Sequence, residues 1–244
     1  MTIYIDADQR LGTWRHIANM GHYAPYEGRA RRGDVIIRWG CNHGLHQGTY
    51  PQGVKVLNRR IILSKREQGD LLQERGVAIP KIFHSRLSWE RDNRPQLLIK
   101  PEVGQMGNGI RLIDRPIWRA GNIYQLYIEK QREFRAMMVG NLMAFFMEKH
   151  PPRNGDIRWN EHRGSEWTTV PENRDLRRRI KRLGYASLQA LDYDFGACDI
   201  IMDGQGALYI LEVNSRPEFE ERNAQRFVNA IQSYLNGGGQ DAEG

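Results

Sequence analysis

The chain has 244 residues, 40% of them hydrophobic, and a net charge of +7 from 36 Lys and Arg against 29 Asp and Glu. That length suits one or two domains, and that composition excludes a wholly disordered, collagen-like or coiled-coil chain. No run reaches the roughly 20 apolar residues of a membrane span, the start lacks the pattern of a signal peptide, and two cysteines cannot make a disulfide framework, which together point to a reduced, cytoplasmic compartment. The basic balance favours anionic partners: nucleic acid, nucleotides or acidic peptides.

The first part of the chain, residues 1–63, is rich in loops. Ile3–Asp6, Val35–Trp39 and Val54–Leu57 have the length and character of short buried strands. Ser64-Lys65-Arg66-Glu67 is a capping box and opens a helix. Gly76 closes that helix, and Ile79-Pro80 starts an extended segment. The middle is dense in strands: Gln96–Lys100, Gly109–Ile113, Ile123–Ile128, Phe134–Val139 and Leu142–Met147. Gly140-Asn141 joins the last two as a tight hairpin turn. Lys149–Trp167 is polar, with Pro151-Pro152 and Asn154-Gly155, and predicts a long loop or lid. Pro171 precedes a helix striped by Leu176, Ile180 and Leu183. Strands Asp194–Met202 and Ala207–Val213 flank the turn Asp203-Gly204-Gln205-Gly206. Ala224, Phe227, Val228, Ile231 and Leu235 make a last amphipathic helix, and Gly237 begins a tail, 237–244, that should fray.

Four groups of residues carry chemistry. In the first, a strand ends in Lys100 and enters a loop containing Gly104, Gly107 and Gly109. Glycines let backbone N–H groups approach phosphate oxygens, and the ammonium adds a point charge. The order fits neither the P-loop nor the dinucleotide fingerprint, because a strand rather than a helix follows. A plain turn is the competing reading.

In the second, a hairpin centred between Gln205 and Gly206 sets Asp199 directly opposite Glu212, with Asn214 on the same face. Like charges so placed are destabilising unless neutralised. A hard divalent cation neutralises them, since Mg²⁺ takes oxygen ligands from carboxylates and nucleotide phosphates. An arginine partner does so equally well. In the third, Lys65, Arg135 and Lys149 stand where they can meet the same phosphates. In the fourth, Cys41, His43 and His46 offer zinc ligands, but no fourth ligand stands at a fixed spacing, so a chance cluster is the better reading.

Taken in order, these marks resemble the ATP-grasp ligases, most closely the branch of ribosomal-protein glutamate ligases, glutathione synthetases and D-alanine ligases. The resemblance runs from about Asp34 to Pro217. It rests on Val56-Leu57-Asn58, Lys65, Gly76–Pro80, the Lys100 loop, Gln125-Leu126-Tyr127-Ile128, Glu133-Phe134-Arg135, Lys149, Asn160 with Gly164, Gly196–Ile200 and Leu211-Glu212-Val213-Asn214. It implies an α+β fold in which two α+β lobes clamp ATP, here with a shortened amino-terminal lobe over 1–63. The ATP-grasp domain would then span 64–236, its first lobe about 64–128 and its second 129–236.

The resemblance also implies roles. Lys65 and Lys100 would reach the phosphates, with the loop of Gly104, Gly107 and Gly109 folding over them. Gln125, Tyr127 and Ile128 belong to the adenine linker, Glu133 binds ribose and Lys149 adds a phosphate contact. Asp199, Glu212 and Asn214 would hold Mg²⁺ or Mn²⁺. Arg216, Lys149 and Arg135 are the candidate catalytic residues, and Arg158, Asn160, Arg163 and Arg216 the candidate substrate contacts. The implied reaction activates a carboxylate with ATP as an acyl phosphate, joins it to an amine of a small molecule, amino acid or peptide, and releases ADP and phosphate. Cys198 has no part in it.

Three departures bear on this. Glu218 follows Pro217 where the family usually has glycine, Ala197 stands where some members carry arginine, and the amino-terminal lobe is short. Two other function classes fit the same residues. One is an ATP-dependent kinase or an adenylate-forming ligase. The other is a basic nucleic-acid binder or nucleic-acid-modifying protein, using Arg174, Arg177, Arg178, Arg179, Lys181 and Arg182 on one helix.

Overall fold

The computed structural model describes residues 1–7, 13–18, 23–40, 50–60, 64–102, 108–153, 155–159, 163–171 and 173–238. Their elements form three sheets and five helices.

The amino-terminal sheet is all parallel, in the order β2-β1-β3-β4, from β1 (Ile3–Ala7), β2 (Tyr23–Pro25), β3 (Val35–Trp39) and β4 (Lys55–Leu57). β3 is buried along its whole length, as its continuous apolar run requires. The short helix α1 (Thr13–Ala18) and strand β2 carry no sequence pattern long enough to reveal them. The second sheet is antiparallel, β5-β8-β6-β7, from β5 (Ile82–Phe83), β6 (Leu97–Pro101), β7 (Arg111–Ile113) and β8 (Asn122–Leu126). Its core is small: Phe83, Trp89, Leu97, Ile99 and Tyr124, with Trp89 supplied by α3 (Arg86–Arg91).

The third sheet is antiparallel, β11-β10-β9-β12-β13, from β9 (Lys130–Val139), β10 (Leu142–Lys149), β11 (Trp167–Thr169), β12 (Phe195–Asp203) and β13 (Leu208–Asn214). The Gly140-Asn141 turn forms as the sequence predicts, with Val139 paired to Leu142. One face of this sheet buries Phe134, Ala136, Met138, Cys198 and Ile200 against α4 (Arg174–Leu191). Leu72 of α2 (Lys65–Glu74) joins the same cluster, so this helix packs on the third sheet. The predicted capping box is intact: the Glu67 amide donates to Ser64 Oγ at 3.2 Å and the Ser64 amide to Glu67 Oε2 at 2.8 Å.

The opposite face buries Met137, Val139, Phe145 and Ala197 with α5 (Glu221–Leu235) and residues of the amino-terminal sheet, among them Ile5, Ile37 and Trp39. Trp39, Phe195 and Phe227 meet there with ring centroids 5.4–5.6 Å apart. Asn58 staples the two sheets. Held at φ 55°, where asparagine is tolerated, its side chain accepts from the Asp194 amide at 2.7 Å and donates to the Phe195 carbonyl at 2.9 Å. Among the described residues, no helix is long and apolar enough to cross a membrane.

Candidate active site

The apolar face of the third sheet turns charged toward one end. Cross-strand register places Arg135 opposite Asp199 and Met147, and Lys149 opposite Glu133. With a period of two, Glu133 and Arg135 continue the row of Met137 and Val139, and Asp199 that of Ala197. These side chains line a cleft of about 820 Å³, walled also by Lys65 and Gln68 of α2, by Lys100 and Gln125 of the second sheet, and by Arg158 and Trp167.

The charges on the sheet at the heart of the cleft are matched in pairs. Arg135 donates bidentately to Asp199, Nε to Oδ1 at 2.7 Å and Nη2 to Oδ2 at 2.9 Å. Lys149 Nζ donates to Glu133 at 2.7 Å, and Lys130 donates to the other oxygen of that carboxylate. Lys65 Nζ lies 3.3 Å from Glu212 Oε2. Burial alone would raise the Asp199 carboxyl, but the Arg135 charge and hydrogen bonds outweigh it and hold the group below its ordinary value. Trp167 adds a face to the cations: Lys149 Nζ lies 4.6 Å and the Arg135 guanidinium carbon 5.0 Å from its ring centre. The Lys130 ammonium sits 4.4 Å over Trp159.

Of the cations lining the cleft, two have no carboxylate within 4.0 Å among the described residues: Lys100 and Arg216. Burial pushes the Lys100 ammonium down to about 8, opposed by the Glu212 charge and reinforced by that of Lys65. Arg216 lies along the rim of the cleft, its stem filling the space a side chain on Gly40 would occupy. Glu220 is paired with Arg222 at 2.5 Å, not with Arg216.

Asp199 and Glu212 do face each other, but not because the hairpin is centred between Gln205 and Gly206. Near the turn Met202 pairs with Leu208 and Ile200 with Ile210, so the hairpin is centred on Gln205. A β-bulge between Asp199 and Ile200 then adds one residue to β13, Leu211, and restores the Asp199–Glu212 pairing. The expected like-charge clash is also absent, since each carboxylate has its own cation. Two carboxylates and the Asn214 amide oxygen on one wall suit a hard divalent cation. Among the described residues no cluster of three or more His, Cys, Asp and Glu could hold a metal unaided, so water or phosphate oxygens would complete any coordination.

The remaining sequence-predicted residues divide. Gln125, Tyr127 and Ile128 line the cleft. The amides of Leu126 and Tyr127 already donate to Lys81 and Gln96 carbonyls, at 2.8 and 3.0 Å, and are closed to a nucleobase. Gly109 turns the chain at φ 77° between Asn108 and Ile110, which line the cleft, and Pro101 fills the place of a Cβ there. Arg158 and Arg163 both donate to Asp156, Arg158 bidentately at 2.8 and 2.7 Å and Arg163 at 3.1 Å. Gly104, Gly107, Asn160, Cys41, His43 and His46 lie outside the described residues. Cys198 is fully buried against α4, which holds its thiol well above its ordinary value. Lys130, Trp159 and Trp167 were not singled out from the sequence. Lys130 opens a strand whose polar start looks like loop, and the tryptophans fall in a polar stretch without periodicity.

The model of the RimK-like ATP-grasp domain matches residues 106–235, more than half of the chain. The chain belongs to this ATP-grasp family. ATP-grasp ligases use ATP with Mg²⁺. Among solved structures, the ATP-grasp ligase PsnB complexed with minimal precursor superposes with TM-score 0.64 at 11% identity, covering 96% of this chain and 98% of that one. D-alanine–D-alanine ligase from Bacillus anthracis, complexed with ATP, gives 0.64 at 13% identity, covering 97% of each. N5-carboxyaminoimidazole ribonucleotide synthetase from Thermotoga maritima gives 0.59 at 13% identity, covering 94% and 75%. At such identities these three establish the α+β ATP-grasp fold across nearly the whole chain. A search of curated protein sequences finds no match. Nothing in these comparisons supports a nucleic-acid partner, and two arginines of the basic α4 face, Arg178 and Arg179, already approach Asp175.

Proposed function

We propose that the protein is an ATP-dependent carboxylate–amine ligase working through an acyl phosphate. The observation that carries this is the charge pattern of the cleft. The carboxylates at its heart are matched by cations, while Lys100 and Arg216 have no carboxylate within 4.0 Å among the described residues and so stand available to anions. On this reading Lys100 and Lys65 hold the phosphates, Glu133 faces the ribose, and the Ile128 end of the linker meets the adenine. Asp199, Glu212 and Asn214 would hold Mg²⁺, which supplies charge neutralisation at the phosphates when bound. Arg135 keeps Asp199 ionised and oriented, and Lys149 orients Glu133.

Arg216 follows Asn214 by two residues, and its own amide donates to Asn214 Oδ1 at 2.8 Å. Its guanidinium is the group to orient the acid substrate. An oxygen of that carboxylate bonds to the γ-phosphorus as the β–γ bridging bond breaks and ADP leaves. An amine nitrogen then bonds to the acyl carbon, the bond to phosphate breaks, and the amine proton passes to solvent. The small-molecule and peptide ligases among the similar structures support an amino acid or short peptide as substrate. Arg158 and Arg163, held by Asp156, would bind an acid only in competition with it.

An ADP-release screen of amino acids and peptides with the purified protein tests the reading. ADP, phosphate and an amide are expected; a phosphorylated substrate or AMP overturns it. Arg216→Lys should keep the thermal stabilisation by Mg·ATP while ligation falls by about 10²-fold or more. A loss under about threefold removes Arg216 from the mechanism.

A further inference from the structure

We infer that Gln68 is a positioning residue for the metal-binding strand, and that the contact α2 makes with β13 sets the reach of Glu212 and Asn214 into the cleft. The inference rests on the proposed metal site and concerns a residue that touches neither nucleotide nor substrate in that scheme.

The bulge in β13 creates the need. In a regular strand Glu212 would share a face with Ile210, which is fully buried in the apolar cluster under α4. The extra residue, Leu211, breaks the alternation. Val213 takes the apolar face instead, and Leu211 and Glu212 both line the cleft. A bulge leaves backbone groups without regular ladder partners, and β13 is the edge of its sheet, with no further strand to supply them.

Gln68 supplies them. Its side-chain amide copies a neighbouring strand: Nε2 donates to the Val213 carbonyl at 2.9 Å, and Oε1 accepts from the Val213 amide at 2.7 Å. On the other side of the bulge the Ile210 amide donates to the Ala78 carbonyl, just beyond α2, at 2.9 Å. The outward-facing backbone groups thus lie three residues apart, at Ile210 and Val213, where a regular strand spaces them by two. Both anchors come from one segment, residues 68–78. The same helix opens with Lys65, the partner of Glu212. Gln68 itself is buried, on the inner side of α2. The helix and the chain just beyond it therefore hold the strand on either side of the bulge, and Lys65 of the same helix faces the carboxylate that the bulge turns outward.

The test is Gln68→Met, of similar length with neither donor nor amide acceptor, compared with Gln68→Glu, which keeps an acceptor but cannot donate. The readout is the Mg²⁺ concentration giving half of the thermal stabilisation at saturating ATP, with Mn²⁺ binding followed by electron paramagnetic resonance. Removing such an outer partner characteristically weakens metal affinity about 10- to 100-fold, and both variants should shift the Mg²⁺ midpoint in that range. A purely structural role would lower the melting temperature without ATP and Mg²⁺ and leave the midpoint alone. A midpoint within about threefold of wild type in the folded variant overturns the inference. If Gln68→Met does not fold, Gln68→Glu decides by the same measure. Glu212→Gln is the control for the underlying reading. If it too leaves the midpoint unmoved, the metal assignment falls; if it shifts the midpoint and the Gln68 variants do not, only the positioning role falls.

Discussion

The two ends of one face of the third sheet are built by the same strands with the same alternation, yet one is apolar and the other charged. At the apolar end Met137, Val139, Phe145 and Ala197 lie under α5 and the amino-terminal sheet. At the charged end Glu133, Lys149 and Asp199 line the cleft, and they are only 5–7% exposed, hardly more than their apolar counterparts. Burial therefore does not separate the two. The apolar end gains by leaving water and needs only a shape to fill. The charged end loses hydration and holds together only because each charge has a partner.

Breaking a pair should expose this difference most strongly. Arg135→Met leaves Asp199 buried without its hydrogen-bonded partner and should cost about 3–5 kcal/mol in urea unfolding. Adding Asp199→Leu should recover most of that loss, because a well-packed apolar pair replaces the ions. A double variant no more stable than the single would show that the cost lies in packing rather than in the orphaned charge.

The unpaired cation sharpens the contrast through pH. In the nucleotide-free protein the Lys100 ammonium titrates near 8 against an ordinary 10.5. Between those values the unfolded chain binds more protons at this position. The Lys100 contribution to stability therefore rises as pH rises through that window, and its burial cost is felt in full below it. ATP affinity should move the other way, falling above pH 8 by at most about tenfold per unit, the limit for one proton. Lys100→Arg should flatten both profiles, since a guanidinium stays charged. An unchanged slope in that variant would assign the titration elsewhere.

The smallest effect belongs to the apolar end. Ile37→Val removes one methylene from the cluster shared by the first and third sheets and should cost about 0.5–1.5 kcal/mol. It should leave the Mg·ATP thermal shift untouched. A change in nucleotide binding would mean that the two ends are coupled through the sheet.

Local signals were the legible ones. Ser64 and Glu67 satisfy each other within one turn of chain, and Gly140-Asn141 reverses the chain within two residues, so both could be recognised without knowing the fold. Phe134–Val139 was readable as a strand, but its true start at Lys130 was not, because its first residues are polar on both faces. The helix α3 was not legible either, since its six residues are too few for a period to show. At the site the acidic, basic and amide residues could be named from their order along the chain, and which cation meets which carboxylate could not. Arg135 and Asp199 are 64 positions apart and meet only because β9 and β12 are neighbours in the sheet.

The Asp199–Glu212 pair marks the boundary between the two kinds of information. The sequence by itself determined the residue types, the two strands and the turn between them, because alternation and turn chemistry act over a few residues. It did not determine the register that makes the pair. A turn centred on Gln205 would have left Glu212 out of step and facing the apolar cluster. Only the tertiary structure decided otherwise: Ile210 and Val213 are both drawn into the core under α4, and the strand can bury both only by bulging between them. Gln68 and Ala78 then satisfy the backbone groups that the bulge exposes. Burying apolar area and pairing backbone hydrogen bonds are sums over residues far apart in the chain, and that distant balance turns a carboxylate toward the cleft.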